Sequence, residues 1–312
     1  MLVFFFMNRS ERSSTPIPPQ VLVLMAVLMW STGGVLIKLT SLDAYQVTFF
    51  RSLLAAITVL LLTHRSGLKV NFFGAITCVI YGTLLFLFVW ATKHTTAANA
   101  IFLQYTAPIY ILILGPFIIG EKFHWRDLTT IVFCIAGMSL FFVGKLDLND
   151  YWGNFAALGS GIFLGLYIML LRHPRSRDLN PAIAVIYGNF LLAIATLPSG
   201  LATIPTISLR DLMLVSALGI FQIGLSYMLF IKGVTAGTRP LDASIIGFFE
   251  PILNPVWVFL FYGEQPSNWA ILGGLVIVAT VGAHTFVQYR VNKIRDGVYP
   301  PTEPPSATAG IN

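Results

Sequence analysis

Two charged side chains lie well inside long apolar stretches of this 312-residue chain, Arg51 and Glu250. Inside a bilayer such a charge costs about 2.5–3.5 kcal/mol on insertion scales, so both should face protein or water. Arg51 could bind an anionic group of a ligand, such as a carboxylate, or it could clamp carbonyls at a neighbouring helix break. Glu250 directly precedes Pro251, where a helix loses a backbone hydrogen bond. Its carboxyl could carry a proton in a transport cycle, or it could satisfy the amides that the break frees. A direct pairing of Arg51 with Glu250 is a further alternative.

Other kinds of chemistry find little support in the sequence. The five histidines are scattered, mostly in loops or near the ends of apolar stretches, and no His-Glu-x-x-His motif occurs. Cys78 and Cys134 lie in apolar runs and suit neither a disulfide nor a zinc site, which needs about four ligands. A Gly-x4-Gly-Lys-[Ser/Thr] loop is absent from the sequence, so ATP does not act directly. We therefore expect no catalytic residues, no metal and no cofactor.

The composition predicts that a lipid bilayer is the solvent of this chain. Hydrophobic residues make up 56% and charged residues 10%, with a mean hydropathy of +0.79, whereas soluble proteins carry about 25% charged residues. The net charge of +6 comes from residues in short loops and forms no basic face, so we expect no nucleic-acid partner. Ten apolar segments approach the roughly 20 residues of a membrane-spanning helix, which predicts an all-α membrane protein. Their predicted spans are 19–39, 44–63, 71–92, 96–119, 126–144, 152–171, 181–198, 210–231, 238–262 and 268–289.

One stretch occurs twice and divides the chain into two halves. Residues 104–121 and 247–264 each contain a proline that is followed, 13 positions later, by the Glu of a Gly-Glu pair. The halves, 19–145 and 151–289, hold five segments each. Because five is odd, the second half should enter the membrane in the opposite orientation, which predicts a 5+5 inverted repeat. Proline-interrupted segments at matching places in two such halves point to a transporter site with alternating access, and duplication for folding alone is the alternative.

The charges in the loops predict the orientation. With a cytoplasmic N-terminus, 14 of the 19 Lys and Arg residues fall in inner loops or tails and 4 in outer loops, in line with the positive-inside rule. Ten segments then place both termini inside, with a cytoplasmic N-terminal tail at 1–18 and a disordered cytoplasmic C-terminal tail at 290–312. Met7 is an alternative start to Met1. We expect a multi-pass protein of the cytoplasmic (inner) membrane.

Polar and aromatic residues inside the segments are the candidates for a binding site or pathway, since a metabolite pocket combines an apolar wall with a few polar anchors. The candidates are Trp30, Ser31, Arg51, Tyr81, Asn99, Gln104, Tyr105, Tyr167, Tyr187, Asn189, Gln222, Tyr227, Glu250 and Asn254. Helix breaks are predicted at Pro108, Pro251 and Pro255, where freed backbone groups need protein or a wet cavity. For a single aromatic residue the alternative is a place at the membrane interface, and for a single amide it is a hydrogen bond between helices.

The two halves differ at the positions of the candidate charges. With residues 180–181 laid over 43–44, Gly188 takes the position of Arg51. Where the first copy has an alanine before its proline, the second has Glu250. A cavity between the halves should therefore be asymmetric in charge.

Together these motifs resemble the EamA-type transporters of the drug/metabolite transporter superfamily. The resemblance rests on Met-Trp-Ser-Thr-Gly-Gly at 29–34, on Phe-Arg-Ser at 50–52 and on the repeated proline and Gly-Glu pattern, and it covers roughly residues 20–288. It implies ten helices, a central cavity between the halves and the movement of a small organic metabolite. It also implies that members of the family which carry many different substrates have an arginine at the position of Arg51. A role shared across such different substrates favours the carbonyl clamp for Arg51.

The leading hypothesis is a secondary transporter that exports or exchanges a small organic metabolite, such as an amino acid, with protons as a candidate coupling ion. The alternatives are a passive channel or facilitator and an integral-membrane enzyme. Gly161 and Gly165 form a small-residue stripe that predicts close packing within the chain more than a dimer face, so we expect a monomer or a weak dimer. The identity of the substrate, the direction of transport and the coupling ion stay open.

Overall fold

The computed structural model describes residues 17–63, 68–141, 143, 150–262 and 267–298, and these residues form helices and no β-strand. The α-helices are α1 (Pro19–Trp30), α2 (Gly33–Leu39), α3 (Ala44–Leu62), α4 (Phe72–His94), α5 (Ala97–Gln104), α6 (Ala107–Ile118), α7 (Trp125–Phe141), α8 (Tyr151–Arg172), α9 (Ile183–Ala195), α10 (Leu197–Thr203), α11 (Leu209–Ala217), α12 (Ser226–Thr235), α13 (Pro240–Ile246), α14 (Phe249–Tyr262) and α15 (Asn268–Val298). A 3-10 turn at Pro174–Ser176 follows α8, and a π-helix at Leu218–Leu225 joins α11 to α12.

Within this part of the chain, seven helical spans are long and apolar enough to cross a membrane: Pro19–Leu39, Ala44–Leu62, Phe72–His94, Asn99–Ile118, Tyr151–Arg172, Leu209–Thr235 and Asn268–Gln288. A pair formed by α9 and α10, bent by 69°, is an eighth candidate. The chain is therefore a multi-pass, all-helical membrane protein, as predicted. The predicted fifth and ninth segments are also helical, but α7 has 17 residues and a break separates α13 from α14, so the ten-helix arrangement stays a prediction.

Several segments are interrupted along their length. Pro108 is the second residue of α6, a position where the missing N–H of proline costs no helical hydrogen bond. The second copy is broken in the same region, with α13 ending at Ile246 and α14 beginning two residues before Pro251. Neither the break between α1 and α2 at residues 31–32 nor the π-helix contains a proline. The sequence therefore predicted breaks near the first two interruptions and none at the other two, and the third predicted break is missing, since α14 continues through Pro255.

The main helix pairings join one half of the chain to the other. α4 packs along α8, α1 along α12, α3 along both α9 and the π-helix, and α7 along α15. α8 also runs beside α5 and α6, where a Cβ on Gly161 would lie 2.8 Å from the carbonyl oxygen of Gln104, and one on Gly165 would lie 3.2 Å from that of Ala107. The small-residue stripe thus packs within the chain and brings α8 close to the break between α5 and α6.

One close contact between helices occurs twice, at corresponding positions of the two halves. A Cβ on Gly82 would lie 3.3 Å from the carbonyl oxygen of Gly188, and a Cβ on Gly219 would lie 2.7 Å from that of Arg51. Gly219 follows Gly82 by 137 positions, and Gly188 follows Arg51 by the same 137. Each half therefore contributes one glycine and one facing carbonyl to a pair of matching helix crossings.

Large apolar side chains cover much of the outer surface. Leu61, Phe72 and Phe117 are 80%, 84% and 85% exposed. Soluble monomers rarely expose extensive apolar patches, so this surface suits hydrocarbon, while buried polar residues such as Arg51 and Asn189 lie inside the helix bundle.

The C-terminal helix is longer than predicted. α15 continues to Val298, whereas the sequence predicted the end of the segment at 289 and a disordered tail from 290. The extension is possible because proline, which interrupts helices, is absent from 268–299. The rest of the predicted tails, residues 1–16 and 299–312, lies outside the described residues.

Candidate functional site

The two proline-containing copies meet each other at their helix breaks. The ring centroids of Tyr105, just after α5, and Phe248, just before α14, lie 5.4 Å apart. Both residues stand three positions before the proline of their copy. A cavity of about 40 Å³ opens beside Tyr105, and we call it the polar cavity. Its walls are Trp30, Arg51, Leu84, Leu85, Phe88, Gln104, Tyr105, Leu164, Gln222, Ile223, Tyr227 and Glu250.

The polar cavity is small. Its volume of about 40 Å³ has room for a few water-sized molecules, whereas ligand pockets usually measure about 300–1,000 Å³. In this structure the polar cavity is therefore too small to hold a metabolite. Seven of the predicted site residues line it: Trp30, Arg51, Gln104, Tyr105, Gln222, Tyr227 and Glu250.

Arg51 lies on α3 and is fully buried. Its Nη2 donates one long hydrogen bond, of 3.4 Å, to the carbonyl oxygen of Leu85, while its Nε and Nη1 have no hydrogen-bond partner among the residues that the structure describes. Leu85 lies inside the continuous helix α4, so this contact does not fit a clamp on carbonyls that a helix break has freed. A buried guanidinium with two unpartnered nitrogen atoms is costly, and such a group suits an additional anionic partner.

Glu250 lies in the first turn of α14, is 5% exposed, and faces the same cavity as Arg51. The hydroxyl of Tyr105 donates a 2.7 Å hydrogen bond to its Oε2. The N-terminal end of a helix favours a negative charge. Arg51 and Glu250 form no direct ion pair in the described part of the chain. The cavity therefore has a cationic and an acidic wall residue that do not neutralise each other by contact.

A group of aromatic rings closes another side of the polar cavity. The centroid of the Tyr227 ring lies 4.8 Å from that of Trp30, 4.9 Å from Tyr81 and 6.0 Å from Tyr167. Trp30 Nε1 donates a 2.8 Å hydrogen bond to Ser226 Oγ, which ties α1 to α12. The hydroxyl of Tyr167 is buried and has no hydrogen-bond partner.

Three buried amides surround this aromatic group. Gln104 Nε2 donates to Ser160 Oγ at 2.6 Å, and Asn189 Nδ2 donates to the hydroxyl of Tyr81 at 3.3 Å. Gln222 belongs to the π-helix, and its Oε1 is buried with no partner. The structure thus brings Asn189, Tyr81 and Tyr167 next to the cavity, although they are not part of its wall.

Other predicted site residues lie elsewhere. Tyr187 is 37% exposed, and its hydroxyl donates to the carbonyl oxygen of Leu68 at 3.0 Å, away from the polar cavity. Asn99 donates to Thr95 Oγ1 and Asn154 Oδ1, both at 3.1 Å. The hydroxyl of Ser31 accepts a 2.9 Å hydrogen bond from Trp257 Nε1.

The predicted prolines can be placed in part. Pro108 and Pro251 are buried in the protein and do not face the lipid. Asn254 and Pro255 belong to α14, but their side chains lie outside the described ones.

A second cavity adjoins the polar one. It measures about 560 Å³ and shares the side chain of Gln222 with the polar cavity. We call it the apolar chamber, because its wall is apolar except for Gln222, Thr32 and the indole N–H of Trp257. Its walls are Met29, Thr32, Val35, Leu36, Leu39, Ala217, Phe221, Gln222 and Trp257.

Two polar clusters, which the sequence analysis missed, join the halves near the ends of the helices. In the Arg239 cluster, Arg239 Nη2 lies 2.7 Å from Asp242 Oδ1 and 3.4 Å from Asp127 Oδ2, and His284 Nε2 contacts Asp242 Oδ1 at 2.9 Å. These residues link α7 of the first half to α13 and α15 of the second. Glu121 lies near this cluster; burial raises the pKa of its carboxyl, and the charge of Arg239 opposes that rise.

The Asp211 cluster ties the halves together at the other end of the first segment. Asp211, at the start of α11, accepts hydrogen bonds from the hydroxyls of Thr40, Ser41 and Ser208 at 2.7–2.8 Å. Lys93 Nζ donates to the carbonyl oxygen of Thr40 at 3.0 Å. The sequence signal for both clusters is an acidic residue in the first turn of an apolar segment. Spacing along the chain does not show which loop this residue contacts.

The described residues contain no group of three His, Cys, Asp or Glu side chains that could hold an ion.

Comparison with known proteins identifies relatives over most of the chain. The family model described as "EamA-like transporter family" matches the chain twice, over residues 18–143 and 151–283. The pseudopaline exporter CntI of Pseudomonas aeruginosa is 23% identical over 274 residues, which cover 83% of this chain and 92% of the relative. Solute carrier family 35 member G1 of Homo sapiens is 23% identical, with coverage of 86% and 80%.

Two further matches bear on the substrate class and on the fold. A probable terminal-alkyne amino-acid exporter of Streptantibioticus cattleyicolor is 23% identical over 62% of this chain and 65% of its own length. A crystal structure of a protein with 17% identity superposes with a TM-score of 0.74 and covers 86% of this chain and 97% of the other. That likeness shows a shared fold.

Proposed function

The chain belongs to the EamA-like transporter family, and from this premise we propose that it carries a small organic carboxylate, such as an amino acid, across the cytoplasmic membrane. The observation that carries the proposal is Arg51, which is fully buried at the wall of the polar cavity with two nitrogen atoms that no described side chain or backbone group satisfies. A carboxylate would accept two hydrogen bonds from such a guanidinium. Two relatives are named as exporters, one of them of an amino acid, and they favour export or exchange.

Alternating access between the two halves is the proposed mechanism. The matching crossings at Gly82 and Gly219 support an inverted repeat, in which the halves exchange conformations. The Arg239 cluster and the Asp211 cluster each tie the first half to the second, at opposite ends of the first segment. With the predicted orientation, the Arg239 cluster faces the cytoplasm. Opening on either side then requires the separation of one cluster while the other stays closed.

Glu250 is the proposed site of proton coupling. It is buried, faces the same small cavity as Arg51, and is held by the hydroxyl of Tyr105. In an exchanger a proton would leave Glu250 when the ammonium group of an amino-acid substrate arrives, because a nearby cation favours the ionised carboxyl, and it would return when the substrate departs.

The test of this proposal begins with purified protein in detergent. A thermal-shift screen of the L-amino acids, dicarboxylates and neutral sugars selects a ligand, and its radiolabelled form is then used for counterflow in proteoliposomes. We expect saturable counterflow that a pH gradient accelerates in the wild type. Glu250→Gln should keep counterflow and lose the response to the gradient.

Two results would contradict the proposal. Flux that rises linearly with concentration, together with unitary conductance in planar bilayers, would identify a passive channel. Stabilisation by the sugars and by no carboxylate would remove the proposed role of Arg51.

A further inference from the structure

The apolar chamber has no role in the function proposed so far. It is about 560 Å³ in volume, more than ten times the polar cavity, and it shares Gln222 with that cavity. We propose that the chamber is the compartment for the apolar tail of the transported carboxylate, with Gln222 at the boundary between head and tail. This inference rests on the proposed function, because the head of the same substrate would bind Arg51.

The adjacency of the two cavities supports this assignment. Gln222 lines both, and its buried Oε1 has no partner. A Cβ on Gly33 would lie 2.6 Å from Gln222 Nε2, so the amide lies directly against the backbone of α2. An unpartnered amide at the junction can accept a hydrogen bond from the head of a ligand, such as an ammonium group, whose tail passes beside it.

The backbone is irregular on both sides of the junction. Gln222 belongs to the π-helix, and Gly33 follows directly after the break between α1 and α2. π-Helical turns are frequently found at functional sites, and a helix break leaves room for side chains to rearrange. The boundary between the two cavities is therefore built from the two interruptions that carry no proline.

The chamber wall suits an aliphatic or aromatic tail. Met29, Leu36 and Phe221 provide apolar surface, and the polar atoms nearby are already bonded: Thr32 Oγ1 donates to the carbonyl oxygen of Met29 at 2.8 Å, and Trp257 Nε1 donates to Ser31 Oγ at 2.9 Å. A methionine adapts its shape to different apolar partners. The volume of about 560 Å³ falls within the usual range of ligand pockets, about 300–1,000 Å³.

The experiment uses a homologous series of L-2-amino acids: alanine, 2-aminobutyrate, norvaline, norleucine and 2-aminooctanoate. Their dissociation constants for the purified full-length protein are measured by calorimetry. Burial of each methylene group should tighten binding about three- to fourfold in the wild type. Ala217→Phe, which fills the chamber, should remove this gain and leave the affinity for alanine within about twofold.

Two further variants make the result decisive. Val35→Phe fills the chamber from another wall residue and replaces Ala217→Phe if that variant does not fold. Ala279→Phe introduces the same bulk at an exposed position of α15 and should keep the full gain per methylene.

The possible failures are distinct. If alanine binds but the affinity does not rise along the series, or rises equally in Ala217→Phe, the chamber holds no substrate tail and a lipid chain is its better occupant. If no member of the series binds the wild type, the amino-acid substrate class of the proposed function is overturned, and the present inference with it.

Discussion

The two halves of the chain bring the same backbone arrangement to the polar cavity but different chemistry. Each half has a helix break near its proline, and the two breaks meet at Tyr105 and Phe248. Tyr105 has a hydroxyl where Phe248 has none, and Glu250 stands where the first copy has Ala107. The hydroxyl from one half bonds the carboxylate from the other at 2.7 Å. Duplication thus accounts for the geometry, and divergence of a few side chains accounts for the chemistry.

The third difference between the halves, Arg51 against Gly188, has a steric reason. A Cβ on Gly188 would lie 2.8 Å both from the carbonyl oxygen of Cys78 and from Cδ1 of Tyr81. A second arginine at this position would therefore displace the aromatic group beside the cavity. The packing around Gly188 therefore excludes an arginine at the position that matches Arg51.

The largest expected effect comes from removing that cation. Arg51→Gln should weaken the binding of the carboxylate found in the screen by about 30-fold or more, since truncating one partner of a buried charge pair costs about 2–5 kcal/mol. The melting temperature of the unliganded protein should not fall, because a poorly satisfied buried charge is lost. Binding is measured by calorimetry and melting by thermal shift. A lower melting temperature with intact binding would instead support the carbonyl clamp.

A smaller effect tests the matching crossings. Gly219→Ala should destabilise the protein by about 1–3 kcal/mol through overpacking, because its Cβ would lie 2.6 Å from Leu54 Cβ and 2.7 Å from the carbonyl oxygen of Arg51. Gly82→Ala is the matched control, since its nearest contact would be 3.3 Å and alanine favours the helix. Thermal shift in detergent should show a clear decrease for Gly219→Ala and little change for Gly82→Ala. Equal decreases would show that the two crossings are packed alike.

The smallest expected effect concerns the hydrogen bond between the halves. Tyr105→Phe removes the bond to Glu250 and should cost about 1 kcal/mol of stability. A double-mutant cycle with Glu250→Ala isolates this contribution, because Tyr105→Phe should then have almost no further effect. Fully additive losses in thermal stability would show that the two side chains do not interact.

Much of the architecture was predictable because the bilayer imposes long apolar helices and proline interrupts them. The seven spans, the breaks near Pro108 and Pro251, and the charges at Arg51 and Glu250 all have a local signal of this kind. The break after Trp30 contains no proline, and its local signal is the weaker helix breaker Ser-Thr-Gly-Gly at 31–34. The π-helix around Gln222 has no such signal. The contact of Tyr105 with Glu250 likewise joins residues 145 positions apart, a distance over which a single sequence gives no pairing information.

The same limit explains the site residues that lie elsewhere. Tyr187 is a tyrosine inside an apolar segment, as Tyr227 is, but it is on the exposed face of its helix and Tyr227 is on the buried one. A single polar or aromatic residue in a membrane helix indicates that its side chain has a partner, but it does not identify that partner. The helix faces are decided by the pairing of α3 with α9 and of α1 with α12, which connects the two halves of the chain.

That pairing has a consequence for synthesis at the ribosome. α3 enters the membrane early, but the π-helix that packs against it at Arg51 is translated more than 160 residues later, at 218–225. Until then the guanidinium can contact Leu85 of α4 but not the π-helix, so it should reach towards the headgroups or hold α3 near the translocation channel. The first half of the chain therefore becomes fully embedded in the membrane only when the second half is complete. A truncated nascent chain should be a substrate for quality control.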